Sequence, residues 1–254
     1  EIIAESITDI DQRQEFLKKI YETFYKKYDP AKADKDGIVY TPSDVVNFMV
    51  RSTDQLLKKH FKKSLSDDGV AILDPATGTG TFLVNVLKQI SVDNLERKYT
   101  KELHANELSI LPYYIATLNI EHTYKELKGD YKEFENICWM DTLDTGIKNY
   151  EKLSSYFEEN DNVKRIARQQ QSEIFVVIGN PPYNATQTSF NNANPSEKYP
   201  HIDKMIKEDY SQYSTAKNIN ASLDMYKRFL KWSSERIDKK GMVVFRDFFS
   251  FEKA

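Results

Sequence analysis

The sequence holds one cysteine, Cys138, and only eight glycines and eight prolines in 254 residues. A lone cysteine excludes an internal disulfide framework and any multi-cysteine zinc site, and it fits a reducing, cytoplasmic setting. The four histidines, His60, His104, His122 and His201, are scattered without ligand spacing, so structural or surface roles and no metal are expected. No run approaches the roughly 18 consecutive apolar residues of a membrane span, and the opening Glu1-Ile2-Ile3-Ala4-Glu5 lacks a basic leader segment. A soluble chain with no membrane partner is the expectation. An excess of positive charge is missing too: 36 Lys and Arg stand against 39 Asp and Glu, a net charge of -3. A protein gripping nucleic acid over its whole surface is usually basic, so contact with DNA would need a local basic groove or a basic domain elsewhere.

What is present is core material. Hydrophobic residues make up 40% and aromatic ones 13%, which excludes general disorder. At about 150 residues per domain, the length suits one large domain or a domain with an arm. Residues 1 to 28 carry Phe16, Leu17, Ile20, Tyr21, Phe24, Tyr25 and Tyr28 at helical spacing, a stripe read as packed core or a dock for a neighbouring domain. Asp29-Pro30 ends it and a polar connector follows. A second helix is expected from Thr41-Pro42-Ser43-Asp44, with Thr41 as N-cap, Pro42 first in the helix and Asp44 closing a capping box. Its buried face would be Val45, Val46, Met49, Val50, Leu56 and Leu57. The basic residues Lys58, Lys59, Lys62 and Lys63 near its far end suit the helix dipole without invoking DNA.

From residue 70 the pattern changes. Val70-Ala71-Ile72-Leu73 reads as a buried parallel strand, followed by a glycine loop and a helix burying Phe82, Leu83, Val86, Leu87 and Ile90. Leu103 to Glu107 is a weaker strand, Leu111 to Glu121 a helix, Ile137 to Met140 a third strand and Ile174 to Ile178 a strong fourth. The insert from Asp144 to Ser172 is too charged for core, and Asn184 to Asn194 has the composition of a loop. A helix near Ser222 to Ile237 and a strand at Met242 to Phe245 complete an α/β alternation. The fold class is a doubly wound, mostly parallel α/β sheet. Cys138 is expected to be a small core residue.

In open α/β sheets, ligands bind at the carboxyl ends of the strands. The loop Asp74-Pro75-Ala76-Thr77-Gly78-Thr79-Gly80 stands there, but it lacks the third glycine of the nicotinamide fingerprint, where Leu83 stands. It also lacks the lysine of a phosphate-binding P-loop, since Thr81-Phe82 follow Gly80. Asp74 at its mouth would repel a pyrophosphate and attract an ammonium or sulfonium group. S-adenosylmethionine carries both and no phosphate. Glu107, ending the second strand, can accept bonds from ribose hydroxyls, and Asp141, after the third, from an adenine amine. Capping of the following helices is the plainer role for either acid alone. After the fourth strand comes Asn180-Pro181-Pro182-Tyr183. The prolines stiffen the turn and donate no main-chain bonds, so the Asn180 side chain and a rigid carbonyl make a two-acceptor site for an NH2 group. Tyr183 offers a face for stacking a base. Use of Pro-Pro-Tyr as a WW-domain ligand would need an exposed extended segment.

Together these features resemble the amino-N6 adenine DNA methyltransferases of bacterial restriction-modification systems, over about residues 15 to 245. Tyr40-Thr41-Pro42 with Val45-Val46 resembles motif X, Asp74 to Gly80 motif I, Glu107 and Asp141 the acids of motifs II and III, and Asn180-Pro181-Pro182-Tyr183 the catalytic motif IV. Three stretches are similar to the branch with helicase and nuclease modules on one polypeptide, the Type ISP or single-chain Type I kind. They are Tyr28-Asp29-Pro30 leading to Gly37 to Pro42, Tyr199-Pro200-His201-Ile202-Asp203, and Asp224-Met225-Tyr226-Lys227-Arg228-Phe229.

The resemblance implies a Rossmann-like domain binding S-adenosyl-L-methionine through Tyr40, Thr41, Pro42, Asp74, Ala76, Thr77, Gly78, Gly80, Phe82, Glu107, Asp141 and Asn180. Catalysis would fall to Asn180, Pro181, Pro182 and Tyr183, acting on an adenine flipped from double-stranded DNA. Residues 1–63 would form a helical arm with the motif X helix, and 64–254 a catalytic domain. That domain is expected to be incomplete at its C-terminus, because the family continues with further strands and a target-recognition domain where this chain has Phe245 to Phe251 and then Ala254. The alternatives are a glutamine N5 protein methyltransferase, whose substrate amide presents the same NH2, and a cofactor-binding scaffold inactive without its recognition domain.

Overall fold

The structure, a computed structural model, describes residues 41–144, 161–182, 199–210, 224–237 and 240–246. The expected arm and connector, the loop at 184–194 and the aromatic end at 247–251 lie outside the described residues, as do Tyr40 and Tyr183.

The apolar run after Gly69 forms β1 (Ala71–Asp74), buried at every position, as a strand covered on both faces must be. It is the central strand of a five-stranded sheet with β2 (Leu103–Glu107), β3 (Ile137–Trp139), β4 (Ile174–Gly179) and β5 (Met242–Phe245). All pairings are parallel, in the order β3-β2-β1-β4-β5. The winding reverses between β1 and β4, so the crevice for a ligand opens at their carboxyl ends.

Alternate side chains divide the core in two. Val70 and Ile72, Leu103 and Ala105, and Val176 and Ile178 face one cluster. It is closed by α1 (Ser43–Phe61), α2 (Thr81–Gln89), α3 (Val92–Arg97) and α4 (Ile110–Lys128). Ala71, Leu73 and Val177 face the other, closed by α6 (Pro200–Asp209) and α7 (Met225–Arg236). A further helix, α5 (Asp161–Gln171), covers the same side beyond β2, where Gln169 Nε2 donates to Ala105 O and Cys138 Sγ, both at 3.4 Å. Cys138 is fully buried, and burial pushes its thiol up to about 12.

Several sequence expectations are corrected. α1 begins one residue late, with Pro42 as N-cap and no side-chain cap bond. The Thr41 cap and Asp44 capping box do not form, and Pro42 O instead accepts from Val45 N and Val46 N. Leu56 is exposed, and Thr53 takes its place on the buried stripe because it lies in line with Val46, Val50 and Leu57. The Thr53 hydroxyl, buried, bonds back to Met49 O at 2.8 Å. The charged insert holds α5, whose buried residues Ile166 and Gln169 show that a helix needs only one narrow apolar or satisfied face to dock. α4 runs to Lys128, where Gly129 turns left-handed and closes it. α3 and the π turn that follows it (Lys98–Glu102) were not anticipated. Buried Lys98 anchors that turn at the amino end of the sheet, its Nζ 2.7 Å from Val70 O and 3.1 Å from Glu102.

Candidate functional site

At the carboxyl end of β1 the chain turns through Asp74 to Gly80 into α2. Gly80 adopts φ +85°, a left-handed value that favours glycine. It also lies close under α4: a Cβ there would stand 3.2 Å from Ala116 Cα. Asn119 on α4 donates to Thr79 O at 2.9 Å. The loop is therefore held from behind. From the β2 side, Thr77 N donates to Asn106 O at 2.9 Å and Gly78 N to Glu107 Oε2 at 2.8 Å. The second oxygen of Glu107 accepts from Ser109 N at 2.7 Å, so one carboxylate fastens the loop to the start of α4. Around the place where a side chain on Gly78 would project, no described atom lies within 4 Å.

Asp74 is wholly buried. Its Oδ1 accepts from Ala76 N at 3.2 Å, while Oδ2 has no hydrogen-bond partner among the described residues. Burial without a counter-charge raises the carboxyl to about 8; the Ala76 bond opposes this and the Glu107 charge adds to it. A buried carboxylate oxygen without a partner is costly, and such groups cluster where a ligand supplies the missing charge. Gly179, at the end of β4, explains how the fourth strand reaches this point. A Cβ there would fall 2.8 Å from Asp74 Oδ1. The residue that follows is Asn180, half-buried, then buried Pro181 and half-buried Pro182. The absence of a side chain at 179 thus lets the tetrapeptide start against the acid of the glycine loop.

After β3, Asp141 is half-buried. Its Oδ1 accepts from Leu143 N at 2.9 Å and its Oδ2 from the Tyr199 hydroxyl at 2.8 Å. Thr142 beside it donates to Pro75 O at 2.6 Å and accepts from Asn106 Nδ2 at 3.1 Å, joining the turns after β1, β2 and β3. Among the described residues Asn106 Oδ1, like Asp74 Oδ2, is buried without a hydrogen-bond partner.

The structure thus gathers Asp74, Ala76, Thr77, Gly78, Gly80, Glu107, Asp141 and Asn180-Pro181-Pro182 on one edge of the sheet. Phe82 lies in the first turn of α2, buried in the core. Thr41, buried, and Pro42, exposed, precede α1. Gly179, Asn106 and Thr142 were missed, and Tyr199 was noted only within the stretch Tyr199 to Asp203, not beside Asp141. A glycine between an apolar strand and a polar turn was the available signal for the first. The others are legible only through the contacts that folding creates.

Among the described residues, no three or more His, Cys, Asp or Glu are grouped to hold a metal, and no helix is long and apolar enough to cross a membrane. A family model described as N-6 DNA Methylase matches residues 12–232. The fold is also that of three solved structures, each matched over 95% of this chain. A DrdV–DNA complex solved by cryo-electron microscopy is 47% identical with a TM-score of 0.87. The ATP-dependent Type ISP restriction-modification enzyme LlaBIII bound to DNA is 40% identical with a TM-score of 0.83. A nuclease-deletion mutant of the Type ISP enzyme LlaGI, with a DNA substrate mimic, is 38% identical with a TM-score of 0.84. The chain spans only 23%, 17% and 20% of those three chains. No curated protein matches it.

Proposed function

The chain belongs to the N-6 DNA methylase family, and from that premise we propose that it transfers a methyl group from S-adenosyl-L-methionine to the N6 amine of adenine in DNA, as the modification part of a restriction-modification enzyme. The observation that carries this reading is the fully buried Asp74, with one oxygen unpartnered among the described residues, set against the start of Asn180-Pro181-Pro182. A group bringing positive charge and no phosphate fits that edge.

The cofactor, when bound, supplies a methyl group made electrophilic by its sulfonium. Asp74 would face its cationic methionine part. The amino-terminal end of α2, with no acid in its first turn, suits its carboxylate. Glu107 would take the ribose and Asp141 the adenine amine, through carboxylate oxygens that each can accept more than one bond. Thr41, Pro42, Phe82 and, outside the described residues, Tyr40 would wall the pocket. The target amine is a poor nucleophile because its lone pair is delocalised into the ring. Bonds donated to Asn180 Oδ1 and Pro181 O would favour a pyramidal nitrogen and aim that lone pair, an effect of positioning and fixed dipoles that needs no strong base. The adenine must leave the duplex to reach these acceptors, and Tyr183 would stack on it.

An arm over residues 1–63 and a catalytic domain over 64–254 remain the proposed division. Target-recognition, helicase and nuclease modules would be the partners, and the bacterial cytoplasm the setting. Calorimetric titration of the chain with S-adenosyl-L-methionine, NAD and ATP tests the cofactor. Saturable binding of the first alone is expected, lost in Asp74→Ala. Because a bound cation favours ionised Asp74, binding should release a proton at pH 7 and tighten as pH rises towards 8. Binding of NAD or ATP in its place, or affinity indifferent to Asp74, would overturn the reading.

A further inference from the structure

Two stretches on the second face of the sheet, Tyr199 to Asp203 and Asp224 to Phe229, are joined by a chain of contacts that ends at the site. Arg228 on α7 is buried, and its guanidinium grips the Asp203 carboxylate with two bonds of 2.7 and 3.0 Å. The same guanidinium lies over the Tyr199 ring, 5.2 Å from its centroid, a favourable cation–π arrangement. Tyr199 is the N-cap of α6, and its carbonyl accepts from Asp203 N at 2.9 Å. The phenol is therefore fixed from two sides, and its hydroxyl points at Asp141 Oδ2. With Leu143 N on the other oxygen, the Asp141 carboxylate is pinned at both ends. A carboxylate held by one bond turns about its terminal torsion, which has broad minima; one held by two keeps its plane.

We propose that Tyr199 is a positioning residue which, acting through Asp141, sets the site's preference for a 6-amino purine on the methyl donor. This rests on the cofactor reading above. The two donors described on Asp141, Leu143 N and the Tyr199 hydroxyl, are protein groups, and a carboxylate carrying them can take a further partner only as an acceptor. A 6-amino group can donate to it. A 6-oxo group presents another acceptor and is repelled, and sites built around one hydrogen bond reject partners that lack it far better than apolar pockets do. Arg228 and Asp203 act one step further back, by holding the phenol over its target.

The test is calorimetric affinity of the chain for S-adenosyl-L-methionine and for its 6-oxo (inosine) analogue, in wild type and in Tyr199→Phe, which keeps the ring under Arg228 and removes only the hydroxyl. The variant should bind the amino cofactor about tenfold more weakly, the size of one hydrogen bond to a charged group, and the oxo analogue within about twofold of wild type. Its thermal midpoint should be unchanged. In Asp141→Asn, removing the Tyr199 hydroxyl should cost nothing more, because the effect runs through Asp141. Equal weakening towards both ligands, or no change towards either, would overturn the proposal and leave the cofactor site intact. A wild type that binds neither ligand would instead remove the cofactor reading itself, and the proposal with it.

Discussion

Gly179 is the residue on which the meeting of β1 and β4 depends. Its missing side chain leaves room for Asp74 Oδ1, 2.8 Å from where a Cβ would stand, with Pro75 Cδ at 3.4 Å. The aspartate cannot swing aside cheaply: it is short, fully buried and bonded to Ala76 N. Gly179→Ala should therefore push the strand end and the glycine loop apart, at a cost of about 1–3 kcal/mol, as overpacking does elsewhere. A lower urea midpoint would register this, together with S-adenosyl-L-methionine affinity reduced at least about tenfold, since one unit of 1.4 kcal/mol is a factor of ten. Unchanged affinity would mean that Asp74 and Asn180 need not stand so close. Lone-pair accounting at Glu107 and Asp141 carries the same lesson. Each is held by two protein donors, so the acids that sequence position marked as ligand acceptors also serve as fasteners between loops.

At the scale of elements, the second face is secured differently from the first. α2 docks through an apolar face, and α1 and α4 through mostly apolar ones that also bury Thr53, Asn119 and Glu121. α6 and α7 instead add an ion pair of buried Arg228 with half-buried Asp203 to Ile202, Ile206, Phe229 and Trp232. Removing one partner of such a pair strands the other charge. Arg228→Ala should cost about 3–5 kcal/mol, and Arg228→Met in an Asp203→Asn background should recover much of it by removing both charges. Chemical denaturation of the three proteins would decide: an Arg228→Ala chain as stable as wild type would show that α6 and α7 hold by apolar contact alone. α5 shows why sequence reading undervalued some elements. Its composition is polar, but Arg165 reaches Glu133 at 2.5 Å, Arg168 reaches Glu135 O at 2.7 Å, and only Ile166 and Gln169 go inside. Partners more than thirty residues away satisfy the charges that made the segment look unfit for packing.

Across the whole molecule, two buried groups on opposite sides of neutrality shape the response to pH. Asp74 is raised from 3.8 to about 8. The folded chain keeps a proton that the unfolded chain releases, so this contribution is complete below pH 3.8 and is lost as pH rises through about 8. His104 is lowered from 6.5 to about 4 by burial, helped by Arg236 and Arg168. Its contribution is present above pH 6.5 and is lost as pH falls through about 4. The two oppose each other between about 4 and 6.5, and from 6.5 to 8 only Asp74 of this pair still titrates. The unfolding free energy should fall over that last interval by up to ~1.4 kcal/mol per pH unit, one proton's worth. Asp74→Asn should flatten it. Urea melts at pH 6.5 and 8 in both proteins would show it, and equal slopes would disprove it. The residue proposed to face the cofactor thus loses its stabilising contribution to the fold at alkaline pH, a trade familiar at functional sites.

Local pattern was enough for the sheet and for the turns at its carboxyl edge. Val70 to Leu73 and Ile174 to Ile178 declared themselves because a strand covered on both faces must be apolar along its length, and Met242 to Phe245 by a like apolar run, although it is only half-buried. The glycine loop and Asn180-Pro181-Pro182 declared themselves because tight turns at strand ends demand glycine and proline. The strand order, the place of β4 beside β1, the closeness that Gly179 permits, the charged cover of α5 and the contacts from Asp203 through Arg228 and Tyr199 to Asp141 came only with tertiary structure. Each joins residues distant in the chain, and a single sequence carries no record of which polar side chain will meet which once apolar burial has closed the fold.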